Sequence, residues 1–288
     1  MASPAKLNLF LAVTGRRPDG FHDLVSLAAP VEWGDRLGVG VAEGDFSLEC
    51  DDPAVPLDGT NLILRAARAF REETGLAAGA AFVLEKRIPM GAGLGGGSSN
   101  AVAALLALNR LAGAPLDTAR LEAVAARLGS DCPMFLRQGP VVIRGRGERV
   151  EPAGPGVSAR ISGRRVILFK PGFGIGTAWA YGRLARGGYG PAGAAESRLA
   201  AWLASAAAPA EEILSNDFER VAFLKFPAID LLLGRLRAEF RLDPCLSGSG
   251  SACFALLPDG HPEPADGVAA AVREVWGPSS TVVETRFA

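Results

Sequence analysis

Hydrophobic and polar residues alternate near the start of the chain, as a half-buried strand requires. Four apolar residues, two positions apart from Leu7 to Val13, fall on one face, so residues 5–13 are predicted to form a strand. Further on, the spacing of apolar residues becomes helical. Thr60-Asn61 opens this predicted helix and Gly75 ends it.

The same patterns predict the order of the other elements. Strands are predicted over residues 25–31, 37–42, 46–50, 80–84, 141–143, 165–169, 252–257 and 281–286. Helices are predicted from the glycines near residue 96 to about 112, and over 117–128, 177–186, 196–207, 217–224, 227–240 and 266–276. Residues 187–195, rich in glycine, are predicted to form a surface loop. Strands and helices interleave without a regular βαβ repeat, which indicates an α+β fold.

A change of domain is predicted where two prolines and two glycines fall together, at residues 152–156. The sequence therefore predicts an N-terminal domain over residues 1–152 and a C-terminal domain over residues 157–288.

Composition narrows the class of protein. The chain has 288 residues, of which 49% are hydrophobic and 21% charged, values typical of a folded protein. A net charge of −1 argues against a nucleic-acid partner, and the uncharged stretch 88–109 is too rich in glycine and serine for a membrane helix. Four cysteines without CxxC spacing, two histidines and no evident signal peptide indicate a cytoplasmic protein without a zinc site.

A run of glycines directly before a predicted helix is the strongest sign of chemistry. Such a loop lets backbone amides approach an anion, and the helix behind it adds its positive dipole end. A Walker A loop requires a lysine after the glycines, and none follows here. The acidic residue of a dinucleotide-binding unit is missing as well. We therefore predict a phosphate-binding loop of another kind, formed by Pro89, Met90, Gly91, Ala92, Gly93, Leu94, Gly95, Gly96, Gly97, Ser98 and Ser99.

Other candidate residues are each weak signals on their own. Lys6 and Asn8 fall on the same face of the first strand, although most lysines are solvated surface charges. Asp131 follows a predicted helix end, where an aspartate often serves only as a cap. His22 follows a turn, and residues 247–251 form a second glycine–serine turn whose simplest role is a hairpin bend.

Taken together, three motifs in this order resemble those of the GHMP small-molecule kinases. They are the strand at 4–8, the glycine loop at 89–99 and the glycine–serine turn at 247–251. The resemblance implies a two-domain fold, with an N-terminal domain like domain 2 of ribosomal protein S5 and a ferredoxin-like C-terminal α/β sandwich.

Further motifs resemble the members of that family that act on a cytidine-diphosphate-linked methylerythritol, in the non-mevalonate route to isoprenoid precursors. These motifs lie at residues 17–22, 129–133 and 216–219. The resemblance implies that the enzyme moves the γ-phosphoryl of ATP to the 2-hydroxyl of that substrate. A monomer or homodimer is expected. Mg²⁺ would accompany ATP, and no protein ligand for the metal is identified.

The resemblance also implies roles for single residues. Asp131 would be the general base, and Lys6 would favour its ionised form and offset charge on the transferring group. Phe21, where a tyrosine is common, and Tyr181 would stack on the cytosine, while His22 would contact its polar edge. Asn8 would hold the sugar-alcohol or phosphate end.

Two alternatives stay open at this point. One is another kinase of the family, acting on homoserine, mevalonate or a sugar, which would not need Phe21, His22 and Tyr181. The other is a catalytically silent nucleotide-binding regulator, against which the presence of both Lys6 and Asp131 argues.

Overall fold

The chain divides into two compact units that interleave along the sequence. The computed structural model describes residues 1–258 and 263–288, with side chains of the second range described from residue 265. The first unit comprises Met1–Ala5, Trp33–Met90 and Gly95–Gln138, and the second comprises Lys6–Glu32, Gly91–Leu94 and Gly139–Ala288. The predicted division into domains at residues 152–157 does not coincide with the bounds of these two units, and it stays a prediction.

Strands and helices interleave along the described chain without regular alternation, as the α+β prediction expects. The strands are β1 (Ala2–Arg16), β2 (His22–Ala42), β3 (Ser47–Cys50), β4 (Gly79–Glu85), β5 (Val141–Gly145), β6 (Arg149–Pro152), β7 (Arg165–Lys170), β8 (Ser215–Asn216), β9 (Cys245–Leu246), β10 (Cys253–Leu256) and β11 (Thr281–Arg286). The helices are α1 (Leu62–Thr74), α2 (Gly96–Leu111), α3 (Thr118–Leu128), α4 (Pro155–Ile161), α5 (Thr177–Gly187), α6 (Ala192–Ala204), α7 (Glu219–Lys225), α8 (Pro227–Phe240) and α9 (Glu263–Trp276). Short 3₁₀ turns occupy Pro133–Leu136 and Ala210–Ile213.

In the first unit, three strand segments pair beside helices α1 to α3. The part of β2 after Trp33 pairs antiparallel with β4, which pairs in parallel with β3. Asn61 caps α1 by accepting from the amide of Ile63, and Gly75 ends that helix with a φ of 71°. The apolar faces of these helices and strands form one core, which includes Phe70, Phe82 and Leu105.

The second unit contains two sets of strands. β1 pairs in parallel with β8, and the first part of β2 pairs antiparallel with β5, which pairs with β6. A separate four-stranded antiparallel sheet has the order β11-β7-β10-β9. Its core joins Ile167 and Phe169 of β7 to apolar residues of α5, α7, α8 and α9.

The long strands and one loop differ from the predictions. The runs predicted at 25–31 and 37–42 belong to one strand, β2, which stays continuous past Gly34. A Cβ on Gly34 would lie 2.2 Å from the carbonyl oxygen of Ser3, so only glycine lets the backbone of β1 approach so closely there. The loop predicted over 187–195 is also too long, because α6 already begins at Ala192.

The stretch at 152–156 also contains regular structure. Pro155 and Gly156 are the first residues of α4, and Gly154 is its N-cap. Proline suits the first turn of a helix because the amide it lacks would have no partner there. No helix among the described residues is long and apolar enough to cross a membrane.

Candidate active site

The predicted phosphate loop leads into α2 through backbone that favours glycine. Gly93 and Gly95 have φ values of 79° and 72°, and Gly95 is the N-cap of α2. No side chain caps this helix by a hydrogen bond, and its first residues, Gly96 and Gly97, carry no side chains of their own. Free amides and the positive end of the helix dipole make such a terminus suitable for an anion.

Within the second unit, the loop segment 91–94 is bound to the glycine–serine turn at 247–251. A Cβ on Gly93 would lie 2.2 Å from the carbonyl oxygen of Ser247, whose hydroxyl donates to the Gly93 carbonyl at 3.3 Å. The Ala252 amide donates to the Ala92 carbonyl, and the Lys6 amide donates to the Leu94 carbonyl, both at 3.0 Å. The second turn therefore supports the loop and is more than a hairpin bend.

The side chain of Asn216 bonds the backbone at the start of that turn. Its Nδ2 donates to the carbonyls of Leu246 and Gly248 at 2.7 and 2.8 Å, and its Oδ1 accepts from the Phe218 amide at 2.9 Å. The asparagine is buried. The sequence shows Asn216 only as part of a motif, because its partners lie about thirty residues away.

Lys6 and Asn8 lie together on β1, which confirms that they share a face. Both are nearly inaccessible, at 4% and 5% exposure, and the Lys6 ammonium donates to Asn8 Oδ1. Asn8 Nδ2 in turn donates to the Ser26 hydroxyl at 2.9 Å, and that hydroxyl donates to the Phe10 carbonyl at 2.6 Å. The lysine is therefore part of a buried polar network and is not a solvated surface charge.

Within the first unit, the turn that carries Asp131 lies beside the first turn of α2. Gly129 ends α3 and accepts from the Cys132 amide at 3.1 Å. The buried Cys132 thiol is hydrogen-bonded with Ser98, and burial raises the pKa of that thiol to about 11. The neighbour of Asp131 is thus joined to a serine of the phosphate loop. Lys6 belongs to the other unit, and its proximity to Asp131 stays a prediction.

Two further contacts fix the ends of the loop in the first unit. The buried Asp35 carboxylate accepts from the amides of Arg87 and Ile88, both at 2.7 Å, and from Lys86 Nζ at 2.6 Å. At the other end of the loop, the hydroxyl of the fully buried Ser3 is 2.9 Å from the Ser99 hydroxyl. Sequence reasoning missed Asp35 and Ser3, since nothing local marks them.

The residues predicted to read a base lie in the second unit. The His22 and Tyr181 rings have centroids 4.7 Å apart at an angle of 30°, and Tyr181 also contacts Phe218 edge to face at 4.8 Å. Phe21 is 49% exposed, with the Arg146 guanidinium 5.1 Å from its ring centroid. Burial first, and then Arg16, lower the pKa of His22, which favours a neutral imidazole.

No group of three or more histidine, cysteine, aspartate or glutamate residues suited to a metal ion occurs in the described part of the chain. The phosphate loop itself carries two hydroxyls, those of Ser98 and Ser99, and the Ser99 hydroxyl is buried against that of Ser3. Magnesium commonly keeps several waters and binds mainly through substrate phosphates.

Comparison with known proteins agrees with this arrangement. Residues 61–139 match the family model "GHMP kinases N terminal domain". A relative from Prochlorococcus marinus (strain MIT 9313), named 4-diphosphocytidyl-2-C-methyl-D-erythritol kinase, is 39% identical over 90% of this chain and 84% of its own. A relative of the same name from Methylacidiphilum infernorum is 37% identical over 88% of this chain and 85% of its own.

Solved structures give the same result. A crystal structure of 4-(cytidine 5'-diphospho)-2C-methyl-D-erythritol kinase has a TM-score of 0.78 and 37% identity, and covers 100% of this chain and 99% of that one. A mevalonate kinase structure, at 12% identity and a TM-score of 0.72, shares the fold over 100% of this chain and 98% of its own. The chain belongs to the 4-diphosphocytidyl-2-C-methyl-D-erythritol kinases, within the GHMP kinase family.

Proposed function

We propose that this protein transfers the γ-phosphoryl group of ATP to the 2-hydroxyl of 4-diphosphocytidyl-2-C-methyl-D-erythritol, in the non-mevalonate route to isoprenoid precursors. The observation that carries the proposal is the loop from Gly91 to Ser99, bound to the turn at 247–251 and to β1 in a chain 39% identical to a relative named for this activity. Phosphoryl transfer asks a protein mainly for positioning and charge stabilisation, which a rigid loop of amides supplies.

Asp131 is the general base of the proposed reaction. Asp131 is partly buried and follows Ser130 in a turn that Gly129 and Cys132 hold beside Ser98. A carboxylate there takes the proton of the acceptor hydroxyl while the oxygen of that hydroxyl attacks the γ-phosphorus. General base catalysis of this kind contributes about 10²–10⁴-fold in rate.

Lys6 offsets negative charge in the proposed transition state. Its buried ammonium is held by Asn8, and its backbone amide is bonded to Leu94 of the phosphate loop. A charge held in this way needs little reorganisation when the phosphoryl group moves, which is the main source of electrostatic catalysis. Asn8 holds the sugar-alcohol or phosphate end of the acceptor in this proposal.

Mg²⁺ accompanies ATP in the proposed reaction and neutralises charge on the phosphates. Phosphate oxygens and water hold the metal in this proposal, and the hydroxyls of Ser98 and Ser99 serve the phosphates. In this proposal the backbone amides from Met90 to Gly97 bind the phosphates, and Pro89, which has no N–H to donate, begins the loop. We further propose that the enzyme works in the cytoplasm as a monomer or homodimer, with neither a nucleic-acid nor a membrane partner.

The cytidine end of the acceptor binds at Phe21, His22 and Tyr181 in this proposal. The exposed Phe21 ring offers a stacking face, and stacking on an aromatic residue contributes about 1–3 kcal/mol per base. Tyr181 and His22 form the neighbouring aromatic wall, since their rings already contact each other.

An acceptor panel tests the proposal. Purified protein is supplied with ATP, Mg²⁺ and, in turn, the cytidine-linked acceptor, mevalonate, homoserine and galactose, and the release of ADP is measured. Turnover only with the cytidine-linked acceptor, with phosphorus NMR placing the new phosphate on the 2-hydroxyl, supports it. Preference for an acceptor without cytidine, or no ADP release with any acceptor, would refute it.

A further inference from the structure

One buried lysine of the second unit is held by backbone carbonyls alone. Lys170 is the last residue of β7 and is 7% exposed. In the described part of the chain its ammonium bonds two carbonyls and no carboxylate. Burial lowers the pKa of this lysine, and a charge kept in the interior without a counter-ion is costly. Its position therefore calls for a role beyond packing.

The two carbonyls belong to the connection that follows β7. Lys170 Nζ donates to the carbonyl of Pro171 at 2.8 Å and to that of Phe173 at 2.9 Å. Within residues 171–176, Pro171 and Ile175 are buried and the others are exposed. The lysine is therefore the buried anchor of a largely exposed segment.

That segment contacts both the phosphate loop and the glycine–serine turn. The Ser251 hydroxyl donates to the Phe173 carbonyl, so this oxygen accepts from the turn as well as from the lysine. A Cβ on Gly174 would lie 3.3 Å from the carbonyl oxygen of Gly91, which belongs to the phosphate loop. The backbone of the segment thus packs closely against the loop.

Two further contacts restrain the segment. The Phe173 ring stacks on that of Phe226, with centroids 4.9 Å apart and planes at 22°. At the start of α5, the hydroxyls of Thr177 and Ser249 are 3.0 Å apart. Residues 171–177 are therefore fixed relative to both elements that the proposed function assigns to phosphate binding.

We propose that residues 171–176 form a third side of the phosphate site, and that Lys170 is the positioning residue that holds them there for ATP. The lysine is too buried to contact a ligand, so it acts through the carbonyl of Phe173 that it shares with Ser251. Its charge adds to the positive potential of the loop amides, and a bound polyphosphate offsets the cost of burying that charge. This inference rests on the proposed function and adds to it a residue that the motifs do not contain.

The variant Lys170→Met tests it, because the side chain keeps a similar length and loses its charge and its donors. Binding of a non-hydrolysable ATP analogue with Mg²⁺ to the full chain is measured by calorimetry. We expect the analogue to bind about tenfold more weakly, the equivalent of ~1.4 kcal/mol. Unchanged binding would overturn the inference. Should this variant fail to fold, Lys170→Gln, which keeps a donor without the charge, takes its place with the same expectation.

Val166→Ala is the matched control for lost stability. Val166 is fully buried earlier in the same strand, and its truncation leaves the segment 171–176 untouched. It should lower the urea midpoint of unfolding and leave binding of the ATP analogue unchanged. Equally weakened binding in Val166→Ala and Lys170→Met would show that affinity follows stability alone, and would overturn the inference.

A double-variant cycle with Ser251→Ala tests the route through the Phe173 carbonyl. Lys170 and Ser251 bond the same oxygen, so removing the second donor should weaken binding less once the first is gone. Effects that simply add would mean that Lys170 does not act through this oxygen, and would overturn the inference.

The unaltered protein separates this inference from the proposed function. If it binds the ATP analogue and phosphorylates the cytidine-linked acceptor while Lys170→Met behaves identically, only the role of Lys170 fails. If the unaltered protein binds no ATP analogue and phosphorylates no acceptor, the proposed function fails and this inference fails with it.

Discussion

At the scale of single residues, Asp131 depends on its neighbours for its position. Gly129 ends α3, and the thiol of Cys132 is hydrogen-bonded with Ser98 of the phosphate loop. The aspartate between them therefore lies in a turn whose two ends are fixed. The proposed reaction needs that carboxylate as a proton acceptor and needs nothing else from its side chain.

Replacing Asp131 by asparagine should lower the turnover number at least about 100-fold, because the amide keeps the shape but cannot take the proton. ATP binding should change little, since the loop amides are untouched. Steady-state kinetics with both substrates varied measure the two effects.

Asp266→Asn is the control for this prediction, since it removes an exposed carboxylate on α9 that has no proposed role. Its turnover should match that of the unaltered enzyme. If Asp131→Asn kept most of its activity, Asp131 would not be the base.

At the scale of elements, the contact between the loop at 91–94 and the turn at 247–251 joins two of the recognised motifs. Backbone atoms of the two segments approach so closely that no room is left for a side chain on Gly93, and the Ser247 hydroxyl adds a hydrogen bond to the Gly93 carbonyl. Asn216 adds three hydrogen bonds that hold the turn and the start of α7. The loop is therefore rigid for reasons that lie outside its own sequence.

Two glycine substitutions separate backbone strain from this contact. Gly91 and Gly93 both have positive φ values, of 62° and 79°, so alanine at either position costs about 1–3 kcal/mol in backbone strain. Only Gly93→Ala also brings its Cβ against Ser247, because the space around Gly91 is open.

We expect Gly93→Ala to lower the urea midpoint of unfolding more than Gly91→Ala does. It should also raise the KM for ATP at least about tenfold more, a difference on the scale of one lost hydrogen bond. Equal effects of the two substitutions would mean that the contact with the turn does not matter for ATP.

Asn216→Asp should destabilise the protein by about 2–3 kcal/mol, because the new carboxylate cannot donate to the carbonyls of Leu246 and Gly248. The loosened turn should also raise the KM for ATP. Urea unfolding and steady-state kinetics measure these effects.

Asn109→Asp provides a matched comparison for that variant. Asn109 is also buried, and it bonds the backbone of Leu116 through both side-chain atoms. The Asn109→Asp variant should lose comparable stability without a change in the KM for ATP. A rise in KM in both variants alike would show that the effect follows from lost stability alone.

At the scale of the whole molecule, the distribution of cysteines between surface and core can be measured directly. Cys132, Cys245 and Cys253 are at most 3% exposed, whereas Cys50 is partly exposed, and all four are free thiols. Burial raises the pKa of each of the four, that of Cys132 to about 11. A buried thiol that stays protonated is inert to thiol reagents.

We therefore expect one thiol, that of Cys50, to react with a disulfide reagent in the folded protein at about pH 8. In urea, where the protein is unfolded, all four thiols should react. The variant Cys50→Ser should show none in the folded state. Rapid reaction of a second thiol in the folded protein would contradict the burial of one of the three core cysteines.

Features that depend on residues close together in the chain could be predicted from the sequence. The structure confirms the strand predicted over residues 5–13, the capping of α1 by Asn61 and Gly75, and the glycine loop at the start of α2. The half-buried alternation expected of β1 is wrong, because residues 5–11 are buried on both faces. Strand faces and helix caps involve contacts between residues a few positions apart, so residue type and spacing suffice to predict them. The three motifs were specific enough to identify the family as well.

Features that join distant parts of the chain could not be predicted and became visible in the folded structure. The Ser3 hydroxyl meets Ser99 across 96 residues, and Asp35 bonds the amides of Arg87 and Ile88 more than fifty positions away. β2 continues as one strand because the backbone of Ser3 packs against Gly34. No local pattern encodes such partners, because they are chosen by the path of the folded chain and by the need to pair every buried polar group.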